Sequence, residues 1–180
     1  MIQKMVNWSK REHSLASRLI AVVPAGLLFV GLIPWMLLCG LSRLDGLLGL
    51  IPFGGGSVPA IPGALLILIG MPVGIWTVVD QFTRARGTPL PVMATQRLLT
   101  DGPYALSRNP MVFGTLCAYL GASLLSGSWS SLILFLVFSG LLLGYLKLVE
   151  ERELAARFGQ EYLDYKRTTP FLIPWPRRRA

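Results

Sequence analysis

The sequence predicts an all-α polytopic membrane protein, with about four transmembrane helices and a helical C-terminal lid on the cytoplasmic side. Three observations predict it. Of 180 residues, 53% are hydrophobic and only 14% charged, where a soluble domain carries about 25% charged. A globule this small cannot hide so much apolar surface from water. Charge-free stretches run long enough to cross a bilayer, whose core takes about 20 apolar residues. The basic residues are also spread unevenly over the segments that join these stretches. The same figures exclude a disordered chain. A disulfide scaffold is excluded because the two cysteines, Cys39 and Cys117, both sit inside apolar runs.

The first element is the uncharged stretch 19–42, in which Pro24 and Pro34 predict kinks. A second uncharged stretch covers 46–79. Its opening part, Ile51-Pro52-Phe53-Gly54-Gly55-Gly56-Ser57, is too rich in glycine and proline for a regular helix, so 60–79 forms the second span. The third stretch, 109–146, is too long for one crossing at about 1.5 Å per residue. Gly127-Ser128-Trp129-Ser130 divides it into a hairpin of two helices, roughly 110–126 and 131–149. Both are short against a core of about 30 Å, which predicts a notch at the membrane edge where an amphipathic molecule can enter.

The basic residues test the count. Four lie before the first span (Lys4, Lys10, Arg11, Arg18) and one, Arg43, follows it. Four lie between the second and third spans (Arg84, Arg86, Arg97, Arg108), and the hairpin turn has none. The remaining eight, Lys147, Arg152, Arg157, Lys166, Arg167 and Arg177 to Arg179, end the chain. Alternate sides therefore hold sixteen and one of the 17. This asymmetry predicts four spans with both termini cytoplasmic, in a plasma membrane of bacterial type. A cleaved signal peptide does not fit, because the first apolar run starts late and no small-residue cleavage site follows it. The net charge of +8 is explained by the same asymmetry. The basic residues flank spans instead of forming one stripe, so the bilayer is the expected partner and nucleic acid is not.

Chemistry is confined to two cytoplasmic segments. In the first, Asp101-Gly102-Pro103 is a turn. Asn109 is a good N-cap and Pro110 suits the first helical position. The helix that starts there presents free N–H groups and a positive dipole end beside Arg108, which together suit an anion. Arg108 equally suits a headgroup anchor. In the second segment Glu151, Phe158 and Tyr162 share one face of a continued fourth helix. Glu150 and Glu151 stand at the bilayer edge, where a carboxylate needs a partner. Helical pairs of Glu151 with Lys147 and of Glu153 with Arg157 would supply ordinary ones.

Taken together, these segments resemble the integral-membrane isoprenylcysteine carboxyl methyltransferase and phospholipid methyltransferase superfamily. The resemblance rests on Gly87-Thr88-Pro89-Leu90-Pro91, Gly102-Pro103-Tyr104, Arg108-Asn109-Pro110-Met111-Val112-Phe113-Gly114, the hairpin, Glu150-Glu151-Arg152-Glu153-Leu154 and Phe158-Gly159-Gln160-Glu161-Tyr162-Leu163-Asp164-Tyr165. It covers about residues 80–175. Val112 stands where the family often has Tyr, and Asn109 where some members have His. The resemblance implies one domain over 1–180, with N-terminal spans in 15–79 and a cofactor-binding core in 80–175.

It also implies S-adenosylmethionine as methyl donor. Arg108 and the helix start at Asn109, Pro110 and Met111 would receive its carboxylate. Glu150 or Glu151 would hold its ammonium or a ribose hydroxyl. Tyr104, Phe158, Tyr162 and Tyr165 would cover the adenine or contact the cation. In-line methyl transfer needs a positioned nucleophile and a dry site more than a base. No catalytic group is therefore assigned, with Arg108 and Glu151 as the candidates. Both Arg108→Ala and Glu151→Gln are expected to weaken cofactor binding without unfolding the protein. The acceptor is expected to be amphipathic, the carboxylate of a prenylated cysteine or a small isoprenoid acid, with a phospholipid amine as the nearest alternative and a small thiol as another. A non-enzymatic anchor that recruits a partner through Arg177-Arg178-Arg179 is the reading from another class.

Other features carry structural expectations. Phe53-Gly54-Gly55-Gly56-Ser57 follows no strand, so it is not a phosphate loop. His13 has no companion for a metal, and no metal site is expected. Gly114, Ala118 and Gly121 suit close helix packing, and Asp80 suits a solvated helix end.

Overall fold

The computed structural model describes residues 20, 23–24, 26–53, 60–84 and 97–176. Those residues form helices and turns, with no strand among them. α1 is Leu27–Leu47, α2 is Ala60–Thr83, α3 is Pro110–Ser126 and α4 is Trp129–Phe158. A short 3-10 turn, Gly102–Ala105, precedes α3, and α5, Gln160–Thr168, follows α4. The helices α1, α2 and α4 are each long and apolar enough to cross a membrane, and α3 is a shorter apolar helix. Large apolar side chains stand exposed along them, Ile61 and Leu68 at 69% and Leu141 at 72%. A bilayer accepts such side chains where water would not. The chain is an all-α polytopic membrane protein.

Two compact units divide the chain. One comprises, among the described residues, 26–53, 60–72 and 114–143. Its core is Leu37, Tyr119, Ala122 and Phe135, with Ile33, Leu41 and Phe138 against them. α2 and α3 meet there backbone to backbone. A Cβ added to Gly70 would stand 2.4 Å from the Gly114 carbonyl oxygen, and one on Gly121 would stand 2.5 Å from that of Gly63. The small residues expected to pack, Gly114 and Gly121, do so. Several polar groups in this unit find internal partners, as apolar surroundings favour, although Asp45 Oδ2 has none among the described residues. The Tyr119 hydroxyl donates to the Phe29 carbonyl at 2.7 Å, and that of Ser131 donates to the Leu37 carbonyl at 2.7 Å. Asp45 is buried and accepts from the Ser130 N–H at 3.2 Å, so a carboxylate of α1 meets the positive start of α4.

Proline and glycine act where the sequence places them. Pro34 lies between two π-helical turns, Leu27–Leu32 and Met36–Gly40, whose wider winding accommodates the missing N–H. Gly127, at φ +61°, makes the hairpin turn, and the Ser128 hydroxyl caps α4 by accepting the Ser131 N–H at 3.1 Å.

Three expectations change. α2 continues to Thr83, four residues past the expected end, because Gln81 and Phe82 keep the helix going after Asp80. α4 has 30 residues, about 45 Å, so only α3 is short and the notch argument loses half its basis. Gly159, at φ +56°, stops α4, so Tyr162 belongs to a separate helix and does not continue the face of Glu151. The basic residues Lys4 to Arg18, His13, residues 54–57, 86–91 and 177–179 lie outside the described residues.

Candidate active site

The second unit comprises, among the described residues, 20, 23–24, 73–84, 97–113 and 144–176. It contains a cavity bounded by the end of α2, the segment 97–109, the start of α3, the end of α4 and α5. Local chemistry fixes each of these walls. The Arg84 guanidinium pairs with Asp80 at 3.4 Å and also with Asp101, so it ties the end of α2 to the turn before Tyr104. Asp80 is buried in that pair and is no solvated helix end. Gly102 has φ +57°, and a Cβ there would stand 2.9 Å from the Asp80 carboxylate. The turn that seats Tyr104 therefore needs glycine at 102.

Tyr104, Tyr162 and Tyr165 form the buried aromatic cluster of this unit, with Leu98, Leu99, Leu154 and Phe158 against it. The Tyr165 hydroxyl donates to the Tyr104 carbonyl at 2.7 Å. Burial raises the pKa of the Tyr104 phenol and keeps it a neutral donor. Burial also raises that of Tyr162, helped by the Glu151 carboxylate and opposed by Arg108.

Arg108 and Glu151 meet as a largely buried ion pair, with side chains 10% and 12% exposed. Lys166 joins Glu151 at 2.6 Å. The Arg108 guanidinium also donates through Nε to the Thr169 carbonyl at 3.1 Å, and through Nη1 to the Tyr162 hydroxyl at 3.4 Å. Lys147 is not the partner of Glu151. Its ammonium lies 5.1 Å from the centre of the Phe171 ring, which Arg108 also faces at 5.5 Å. The Glu153–Arg157 pair forms as the spacing suggests, at 3.3 Å.

After α5 the chain turns back as a strap along residues 106–109. The Arg108 N–H donates to the Pro170 carbonyl and the Trp175 N–H to the Leu106 carbonyl, both at 2.8 Å. The Ser107 hydroxyl donates to the Leu172 carbonyl and the Asn109 side-chain amide to the Phe171 carbonyl, both at 2.8 Å. Asn109 does begin α3, since its carbonyl accepts the Phe113 N–H at 3.0 Å. Its side chain holds the strap, so it leaves the first N–H groups of α3 uncapped by it.

The cavity is lined by Tyr104, Arg108, Asn109, Pro110, Met111, Glu150, Glu151, Tyr162 and Tyr165. Of the expected site residues, Phe158 alone stays off the wall. It packs into the tyrosine cluster, with the Arg157 guanidinium 5.0 Å from its ring centre. Sequence reasoning missed Gln81, Arg97 and Arg157 on the wall, and Lys166 behind Glu151. Gln81 carried one signal, a neutral amide one residue beyond the charge that closes the second span. Lys166 carried none, because its meeting with Glu151 depends on the reversal at Gly159.

Three lining groups are poorly matched among the described residues. Glu150 makes no hydrogen bond or ion pair with any described residue; Glu153 and Glu151 repel its charge and the Arg157 guanidinium attracts it. Gln81 Oε1 and the Tyr104 hydroxyl are buried beside one another, within reach of each other but short of good hydrogen-bond geometry. Such atoms cost about 1–3 kcal/mol each when left unmade. Their presence in a cavity fits a polar ligand.

Fold and site thus define a class: a helical membrane protein whose apolar spans carry a cavity of mixed charge next to an aromatic cluster. A family model described as phospholipid methyltransferase matches residues 59–161. The chain belongs to that family, within the isoprenylcysteine and phospholipid methyltransferase superfamily, and the family is one of methyltransferases. Comparison with curated proteins and with solved structures gives no match.

Proposed function

We propose that this protein is an enzyme that transfers the methyl group of S-adenosylmethionine to an amphipathic acceptor at the membrane. The observation that carries the reading is the Glu150 carboxylate, which makes no hydrogen bond or ion pair with a described residue, on the wall of a cavity that also holds the Arg108–Glu151 pair. A membrane anchor has no use for it. When bound, the sulfonium supplies an electrophilic methyl, which an acceptor lone pair takes in line while the C–S electrons return to sulfur.

The residues of the chain bind and orient. Glu150 holds the donor's ammonium, since Glu151 is already matched by Arg108 and Lys166. Arg108 spends Nε and Nη1 on the fold, which leaves Nη2 for the donor's carboxylate. The first N–H groups of α3, at Met111 and Val112, face the same anion. Arg108 and Glu151 are then binding and positioning groups; a carboxylate acceptor needs no general base, whereas an ammonium acceptor must first give up a proton to water or a neighbouring carboxylate to free its lone pair. The strap 169–176 and α5 exclude water from the cavity. Met111, Val112, Leu146 and Leu154 give the wall an apolar part suited to an acceptor's tail. The family description favours a phospholipid amine as acceptor over a prenylated cysteine acid.

Calorimetric titration of the detergent-purified protein with S-adenosylhomocysteine tests the reading. Binding is expected, and Glu150→Gln should weaken it about ten- to a hundredfold, the worth of a charge-assisted hydrogen bond. A folded wild-type protein that binds none of this ligand would overturn the proposal.

A further inference from the structure

The strap ends in a surface that the cavity does not use. Ile173 and Trp175 are each 68% exposed, and Leu106, whose carbonyl accepts the Trp175 N–H, is exposed as well. Water is a poor surrounding for such a patch. Its level follows from Arg108 to Pro110, where the polar segment ends and the apolar helix α3 begins. The strap pairs with residues 106–109, so Ile173 and Trp175 stand where a bilayer passes from apolar core to headgroups, the level that tryptophan favours.

The charge around this patch has one sign. Arg177, Arg178 and Arg179 follow Pro176 in the sequence, and no Asp or Glu occurs after Asp164. Lys147, exposed on α4, adds an ammonium against the Phe171 ring of the strap. Each Lys or Arg near an anionic membrane surface adds to the attraction. Nucleic acid or an acidic protein would meet the arginines alone, because the bilayer already occupies the level of Ile173 and Trp175. The strap also touches the cavity wall. Its carbonyls at Thr169, Pro170 and Phe171 receive N–H groups of Arg108 and Asn109, both of which line the cavity. Pro170, Pro174 and Pro176 stiffen the strap, so whatever steadies its end steadies Arg108.

We propose that the end of the strap, from Ile173 through Arg179, docks on the anionic phospholipid headgroups of the bilayer surface that it faces, with Trp175 seated among them, and that this docking holds the Arg108 side of the cavity in its donor-binding form. Donor affinity then depends on the charge of the membrane, because a partner that binds one form of the wall raises the population of that form. The dependence of donor binding rests on the function proposed above, and the docking itself does not.

The full-length protein in nanodiscs of phosphatidylcholine, with and without about one third phosphatidylglycerol, tests both parts. Tryptophan fluorescence reads the docking. Phosphatidylglycerol brominated high on its acyl chains should quench wild type more than Trp175→Phe, and the difference should shrink when Arg177→Gln, Arg178→Gln and Arg179→Gln are combined. Calorimetry with S-adenosylhomocysteine reads the coupling. This ligand carries no net charge, so a charged membrane does not concentrate it. Wild type should bind it about fivefold more tightly in the anionic nanodiscs, and high salt should remove the gain. The triple variant should bind equally in both, with the affinity that wild type has in phosphatidylcholine. Equal quenching of wild type and Trp175→Phe, or a full gain in the folded triple variant, overturns the inference and leaves the proposed function standing. So does a gain reproduced in phosphatidylcholine nanodiscs by soluble glycerol phosphate, which would make the ligand a free anion. If wild type binds no S-adenosylhomocysteine in either nanodisc, the proposed function fails and the quenching still decides the docking.

Discussion

Arg108 shows how far a single side chain can be read from sequence. Its position before Asn109-Pro110 marked it as a group facing an anion at a helix start. The structure adds that it also holds the fold, through Glu151, Tyr162 and Thr169. The expectation that Arg108→Ala leaves the fold untouched therefore changes. Removing one member of a largely buried pair costs about 3–5 kcal/mol when the other charge is stranded. Lys166 remains beside Glu151, so a loss of about 2–4 kcal/mol is expected, read as a lower unfolding midpoint in detergent. Glu151→Gln should cost less, since Gln still accepts from Arg108. Equal stability of Arg108→Ala and wild type would show that the strap does not depend on the guanidinium. Gly102 offers a second residue-scale test. Gly102→Ala combines an unfavourable φ with contact against Asp80, and about 1–3 kcal/mol of destabilisation is expected. Gly74 has nothing within 4 Å of a would-be Cβ, so Gly74→Ala should cost nothing in the same assay.

At the scale of elements, the sequence was most legible where apolar runs meet strong punctuation. The third helix, the turn at Gly127 and the start of α3 at Pro110 all follow from proline, glycine and charge. Two things were not legible. The reversal at Gly159 looks like one more helical residue until its positive φ is seen, and the reversal is what brings Lys166 to Glu151. The strap is held largely through backbone carbonyls, which every residue has, so no side-chain pattern announces it. The π turn at Leu146–Glu150 was equally hidden, and it makes a prediction. A π turn is an α-helix carrying one extra residue, with the flanking faces kept in register. Deleting Leu148, which is exposed, should restore plain α winding and leave Glu153 and Arg157 facing the cavity. Deleting Leu141, in the regular part of α4, should turn everything after it by about 100°. Circular dichroism and S-adenosylhomocysteine binding separate the two. The first variant is expected to stay folded with partial binding and the second to lose binding. Equal loss in both would mean that the π turn itself carries the cavity.

At the scale of the whole molecule, charge distribution and packing answer different questions. The sixteen-to-one division of basic residues between alternate segments of a four-span chain is a sequence property, and it predicts sidedness through the cost of moving Lys and Arg across the bilayer. Helix length sets which segments can cross, and α3, with 17 residues, is the marginal one at about 25 Å. If α3 crosses with tilt or local thinning, the count is even and both termini share the cytoplasmic side. If α3 stays on one side, the count is odd and the strap faces the opposite side from residues before α1. Labelling with a membrane-impermeant thiol reagent decides between these, after Cys39 and Cys117 are replaced by Ser and Ala. Ile173→Cys, on the exposed side of the strap, should react only after the membrane is opened. Leu48→Cys, just past α1, should react in intact cells. A strap residue labelled from outside would put the cavity away from a cytosolic methyl donor, and the proposed function could not hold with it.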